Sequence, residues 1–291
     1  MSEALPEPLH QRSIPGVISR PLMNWQGTRT EGLYFLENRL ADRSLRGVPV
    51  LLLPGGFDPL RGTYGEELIR ALLDLPGVSS VVEAHFQREC RAGYIDIEAA
   101  ATDLQHVFGR SESAPIVVGM SAGTFIATAG LYRAAMQESQ RTVRALMMIG
   151  PYLAGYGTWL TRAMGPFYRR QSMREKVAQF CGHPHFYDNA DRMRAWWEAR
   201  PPLREILERG RLREMRERID VPVELLYFRF DTLNRRGRRL LLDALGASVI
   251  EPAIPGHHRA LHKLADANER VVDFVRQHLP AVAVGASSAA A

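Results

Sequence analysis

The chain has 291 residues, 46% hydrophobic and 24% charged, with a formal net charge of +5 that comes largely from arginine. That balance suits one α/β domain with an insertion, and no apolar run reaches the length of a membrane span, so a disordered or membrane-spanning chain is excluded. Two cysteines, Cys90 and Cys181, make no disulfide framework, and without an aromatic-interleaved basic motif the positive charge reads as a solvated surface rather than a nucleic-acid site.

The opening residues, Met1–Glu7, show neither the basic nor the apolar stretch of a secretion signal, so a cytoplasmic location is expected. Residues 1–46 are the least assigned part of the core. Gly32–Leu36 reads as an early strand, and Pro15–Trp25 as either another strand or an arm. Val48–Leu53 is a continuous apolar run that enters Pro54-Gly55-Gly56-Phe57-Asp58, the pattern of a strand buried on both faces and followed by a glycine turn. Thr63-Tyr64-Gly65-Glu66 reads as a capping box that opens a helix over Glu66–Leu73. Strand Val78–Ala84 then precedes helix Ile95–Phe108. Strand Ile116–Val118 precedes helix Ala122–Met136, and strand Ala145–Ile149 closes this half. Strands and helices alternating at that rhythm predict an α/β protein with a mostly parallel central sheet flanked by helices.

Between Pro151 and Ile219 the strand rhythm stops. The segment is rich in arginine, methionine and aromatic residues, among them Tyr152, Trp159, Trp196 and Trp197. It reads as a helical cap, residues 151–219, inserted into a core made of residues 1–150 and 220–280. Within it Pro201-Pro202 opens a helical stretch, Leu203–Glu208, that Gly210 ends or kinks. Cys181, His183, His185, Asp188 and Asp191 cluster in the cap, but His-Pro-His is not helical ligand spacing, and no metal is expected. After the cap, strand Val221–Phe230 ends at Asp231. Strand Ala247–Ile254 ends at Pro255-Gly256-His257-His258. An amphipathic helix, Asn268–Leu279, follows, and residues 281–291 form an alanine-rich, disordered tail.

The richest signal is Gly119-Met120-Ser121-Ala122-Gly123, placed where a strand turns into a helix. A serine in that corner is lifted clear of the backbone, and the glycines let neighbouring chain pass close. Serine is a poor nucleophile unless a base takes its proton. Imidazole, with an ordinary pKa of about 6.5, can take that proton and return it to a leaving group, and a carboxylate on its far nitrogen fixes the tautomer. Asp231 and His257 each follow a strand's carboxyl end, the edge at which open α/β sheets collect ligands.

With these residues in hand, the chain resembles the α/β-hydrolase fold superfamily over roughly Gly47–Leu279. The resemblance implies an α/β-hydrolase core with Ser121 as nucleophile, His257 as base and Asp231 as the orienting acid, in the family's chain order. It implies one oxyanion donor at the amide of Ala122 and a second at Gly56 or Phe57. His258 is the alternative base, since it adjoins His257. Many family members carry His-Gly where this chain has Pro54-Gly55 or Gly55-Gly56, which leaves the turn's alignment open by one residue. The expected activity is hydrolysis of an ester, thioester or amide carbonyl through an acyl-enzyme, with an apolar acyl group suggested by the cap's composition. No cofactor is implied. The partner is a small acyl substrate. The alternatives are a thioesterase or acyltransferase that meets an acidic carrier protein, and a non-catalytic binding protein on the same fold. The sequence specifies no oligomeric state.

Overall fold

The computed structural model describes residues 14–22, 24–25, 28–29, 31–42, 47–55, 64–86, 97–110, 114–137, 143–151, 209–218, 220–229, 241–249 and 265–280. Strand β5 (Val48–Leu53) is buried at every position because it lies mid-sheet with helices on both sides. Alternate residues serve the two faces. Leu51 and Leu53 enter one apolar cluster, while Val48, Val50 and Leu52 enter the other. This is why the run carries no polar alternation.

The sheet has eight strands among the described residues. Spatially they run β1 (Val17–Leu22), β4 (Leu33–Leu40), β6 (Val78–Phe86), β5, β7 (Ile116–Met120), β8 (Ala145–Ile149), β9 (Val223–Leu226) and β10 (Ser248–Val249). From β6 to β10 every pairing is parallel. β4 runs against both its neighbours, β1 and β6. A separate two-stranded ribbon pairs β2 (Asn24–Trp25) with β3 (Thr28–Arg29). The segment Pro15–Trp25 therefore contains an edge strand of the main sheet.

Helices α2 (Ile97–Arg110), α3 (Ala122–Met136) and α4 (Arg209–Arg218) contribute to one apolar cluster; α1 (Glu66–Leu73) and α5 (Ala265–His278) contribute to the other. α3 is apolar nearly all round, with Phe125, Ile126 and Leu131 buried, because it lies between the sheet, α2 and α4. Each such side chain contributes about 1.5–3 kcal/mol by leaving water. Arg133 of α3 reaches Glu98 of α2 at 2.5 Å and ties the two helices at their rim.

A buried acid sets where β4 begins. Asp103 of α2 is 4% exposed, and its carboxylate accepts the amides of Glu31, Gly32 and Leu33, the closest at 2.7 Å. Burial pushes this carboxyl above the usual range, against the opposing pull of the three amides. The contact needs a glycine beside it, since a Cβ on Gly32 would lie 2.2 Å from the Ala100 nitrogen.

One local expectation is corrected. The helix over Glu66–Leu73 forms as expected, but its N-cap is Gly65, a residue with no side chain to cap it. A capping box led by Thr63 would have put Glu66 in the third helical position; Glu66 is instead the first, because Tyr64 turns inward to the sheet. Gly210 lies inside a helix, Arg209–Arg218, whose Leu212 and Met215 are buried in the cluster that holds α3. Of segment 151–219, then, those last residues pack on the core. Residues 152–208, with the stretch Leu203–Glu208 and the Cys181–Asp191 cluster, lie outside the described residues, as do Thr63 and 281–291.

Candidate active site

The strand order reverses beside β5. The chain goes from β5 through α1 to β6 on one side, then crosses by α2 to β7 on the other. A crevice opens at such a reversal, outside the carboxyl ends of the strands. The residues at its two lips are those after β5 and those after β7. Ser121 follows β7 directly, and Gly55 follows β5 by two residues.

Ser121 has φ 49° and ψ −110°, and is alone among described non-glycine residues in having a positive φ. L-residues pay about 1–3 kcal/mol for such a backbone. Several contacts hold it. The Ser121 amide donates to Ile149 of β8 at 3.0 Å, so this N–H is committed to the sheet. The Ser121 carbonyl accepts the amide of Thr124 at 3.1 Å and its hydroxyl at 2.6 Å. The side chain is half-buried.

The flanking glycines are required by close approach of backbone. A Cβ on Gly119 would lie 3.0 Å from both the Gly123 carbonyl carbon and the Thr124 nitrogen. A Cβ on Gly123 would lie 2.6 Å from the Leu53 oxygen and 2.8 Å from the Pro54 oxygen. α3 therefore starts in contact with the end of β5. On Gly55 a Cβ would lie 3.8 Å from the Ser121 Cβ, which puts the two lips side by side.

Ser121 occupies the N-cap of α3, so Ala122 is the first helical residue. Amides in a first turn have no acceptor within their own helix, and the helix dipole adds positive potential there. An oxygen anion next to Ser121 would meet that end of α3.

Tyr64 was not singled out in the sequence. It is 2% exposed, and its hydroxyl lies 2.8 Å from the Leu53 oxygen and 3.1 Å from the Val118 oxygen. Burial, and then the negative charge of Glu83, hold this phenol well above its ordinary range, so it stays a donor. The signal that could have revealed it is an aromatic just before the N-cap. Tyr64 and Ile69 stand at the two positions of a hydrophobic staple and share one apolar cluster.

Of the residues expected at the site, Ser121 stands at the strand-to-helix turn and Ala122 at the helix start. Asp231, His257, His258, Gly56 and Phe57 lie outside the described residues. β9 and β10, the strands that lead toward Asp231 and His257, run parallel to β7 and point to the same sheet edge. Among the described residues no group of three or more histidine, cysteine or acidic side chains is arranged to hold a metal. Nor, among them, is any helix long and apolar enough to cross a membrane.

No protein-family model and no curated protein matches the sequence. Solved structures do match. A bacterial brefeldin A esterase, described as a homologue of human hormone-sensitive lipase, superposes with a TM-score of 0.56 at 18% identity, over 92% of this chain and 79% of that one. A thermostable esterase from Pseudomonas putida gives 0.56 at 16% identity, over 93% of this chain and 86% of that one. A monoacylglycerol lipase from Paleococcus ferrophilus gives 0.55 at 17%, over 85% of this chain and all (100%) of that one. At these identities the shared property is the fold.

Proposed function

We propose that this chain, which has the α/β-hydrolase fold, is a carboxylic ester hydrolase that works through an acyl-enzyme on Ser121. The observation that carries the reading is the backbone of Ser121, φ 49° and ψ −110°, at the sheet's reversal point. A helix start needs no such strain: α1 begins at Gly65 with φ −73° and ψ 157°. Strain of that kind is held where it aims a reacting atom. The esterases and the lipase that share the fold support the same reading.

In this mechanism the Ser121 Oγ attacks the ester carbonyl carbon while His257 takes the hydroxyl proton. Asp231 orients the imidazole and stabilises its charged form. Negative charge collects on the carbonyl oxygen, facing the amide of Ala122 and that of Gly56 or Phe57. One such donor is worth about 3 kcal/mol in the transition state. When the adduct collapses, His257 returns the proton to the departing alcohol and the acyl group stays on Ser121. Water, deprotonated by the same imidazole, then releases the acid. His258 is the alternative base. The order serine, acid, histidine and the common direction of β7, β9 and β10 support the assignment. The aromatic and methionine content of residues 152–208 favours an apolar acyl group, under a cap that keeps water out.

A fluorophosphonate should label Ser121, and Ser121→Ala should abolish both labelling and turnover of short-chain esters. Activity should rise with pH as the base loses its proton. An unlabelled wild type that turns over no ester or acyl thioester would leave a binding protein on this fold. Salt-sensitive turnover of carrier-bound thioesters alone, with small esters untouched, would point instead to an acidic carrier as partner.

A further inference from the structure

We propose that Tyr64 is a positioning residue for the reaction, a clamp between two strand ends that fixes the spacing of the nucleophile and the glycine turn opposite it. The inference rests on the hydrolase reading above. Tyr64 closes the connection from β5 to α1 that the glycine turn opens. It stands at the entrance to α1, and its hydroxyl reaches across to the carbonyl oxygens of Leu53 on β5 and Val118 on β7.

Those two carbonyls are well chosen. Leu53 leads through Pro54 to Gly55 and Gly56, the lip expected to supply an oxyanion donor. Val118 lies three residues before Ser121 on the other lip. In the ladder β5 and β7 pair through Leu52↔Val118 and Leu53↔Gly119, and that pairing ends where the lips begin. The Tyr64 hydroxyl joins these last two ladder pairs from outside the sheet, through Leu53 of one and Val118 of the other. The Leu53 oxygen is also the atom against which Gly123 packs, at the second residue of α3. One carbonyl thus touches the elbow on one side and accepts the phenol on the other.

A single O–H proton is shared between two acceptors, with the shorter contact, 2.8 Å, at Leu53. The donor is permanent, because burial and Glu83 both disfavour the phenolate. Without it, two buried carbonyls at the rim of the site lose a partner, and the lips are free to drift. Misplacement on the scale of an ångström costs a reaction of this kind about a hundredfold.

The test is Tyr64→Phe, with active sites counted by fluorophosphonate burst. We expect kcat per labelled site to fall about ten- to a hundredfold while KM stays within twofold, and Ser121 labelling to slow in proportion. A role in stability alone would lower the folded fraction and leave kcat per labelled site unchanged, and that result overturns the proposal. If Tyr64→Phe does not fold, two replacements of similar size separate the roles. Tyr64→4-aminophenylalanine keeps a donor and should keep kcat within about threefold, while Tyr64→4-fluorophenylalanine has none and should show the loss. Equal rates for the two would refute the clamp. A wild type that takes no label would refute the hydrolase reading instead, so the two failures are distinct.

Discussion

Replacing Gly123 by alanine sets two known effects against each other at the elbow. In an ordinary helix the change is favourable, by about 1 kcal/mol of helix propensity. Here the new Cβ would lie 2.6 Å from the Leu53 oxygen, 2.8 Å from the Pro54 oxygen and 2.9 Å from the Leu53 carbonyl carbon. Ordinary contact begins at 3.4 Å, so the start of α3 and the end of β5 must part by about 0.8 Å. Neither side yields easily, since all three atoms are backbone and β5 is buried throughout. Overpacking of this kind costs about 1–3 kcal/mol, which exceeds the propensity gain at all but its lower end. Gly123→Ala should therefore lose up to about 2 kcal/mol in urea unfolding, against the gain of about 1 kcal/mol that an open helix site would show. The same displacement widens the gap between Ser121 and Gly55, so Ser121 labelling should slow by about a hundredfold. The measurements are a denaturant midpoint and a labelling rate on the same preparation. A variant more stable than wild type by the full propensity gain of about 1 kcal/mol, with an unchanged labelling rate, would refute the reasoning.

Ser121→Gly should be more stable than Ser121→Ala by about 1–3 kcal/mol, because only glycine tolerates φ 49° without cost; both should be inert to the fluorophosphonate, and equal urea midpoints would refute the strain. Asp103→Asn replaces a two-oxygen acceptor with one oxygen and a donor facing three amides, and should cost about 1–3 kcal/mol at neutral pH. Its pH dependence has a definite sign. The Asp103 carboxyl is raised in the folded state, so its linkage contribution is complete below the unfolded value near 3.8 and fades as pH rises through the folded one. The gap between wild type and Asp103→Asn should thus widen on acidification from pH 7 toward 4; a narrowing gap would mean that the amide bonds outweigh burial.

Sequence alone determined the parts of this protein whose causes are local. A strand covered on both faces must be apolar at every position, so Val48–Leu53 and Ala145–Ile149 are legible with their observed bounds. Gly-Met-Ser-Ala-Gly between an apolar run and a helical one marks a strained corner because the glycines, the serine and the turn are all neighbours in the chain. The fold class followed from the alternation of such elements, and the structural comparisons agree with it. Tertiary structure decided what depends on distant partners. No local pattern shows that β4 runs against its neighbours or that β5 lies between β6 and β7, since pairing is chosen among strands. Nothing near Asp103 in the chain announces the amides of residues 31–33, which come to it from about seventy positions away. Thr63-x-x-Glu66 fits a capping box on paper, yet α1 begins at Glu66 with Gly65 as its N-cap, since the Tyr64 ring is buried and its hydroxyl bonds two strand ends. The local code sets the strained corner at Ser121; the carbonyl that accepts its amide, Ile149 of β8, is brought there only by the pairing of β7 with β8.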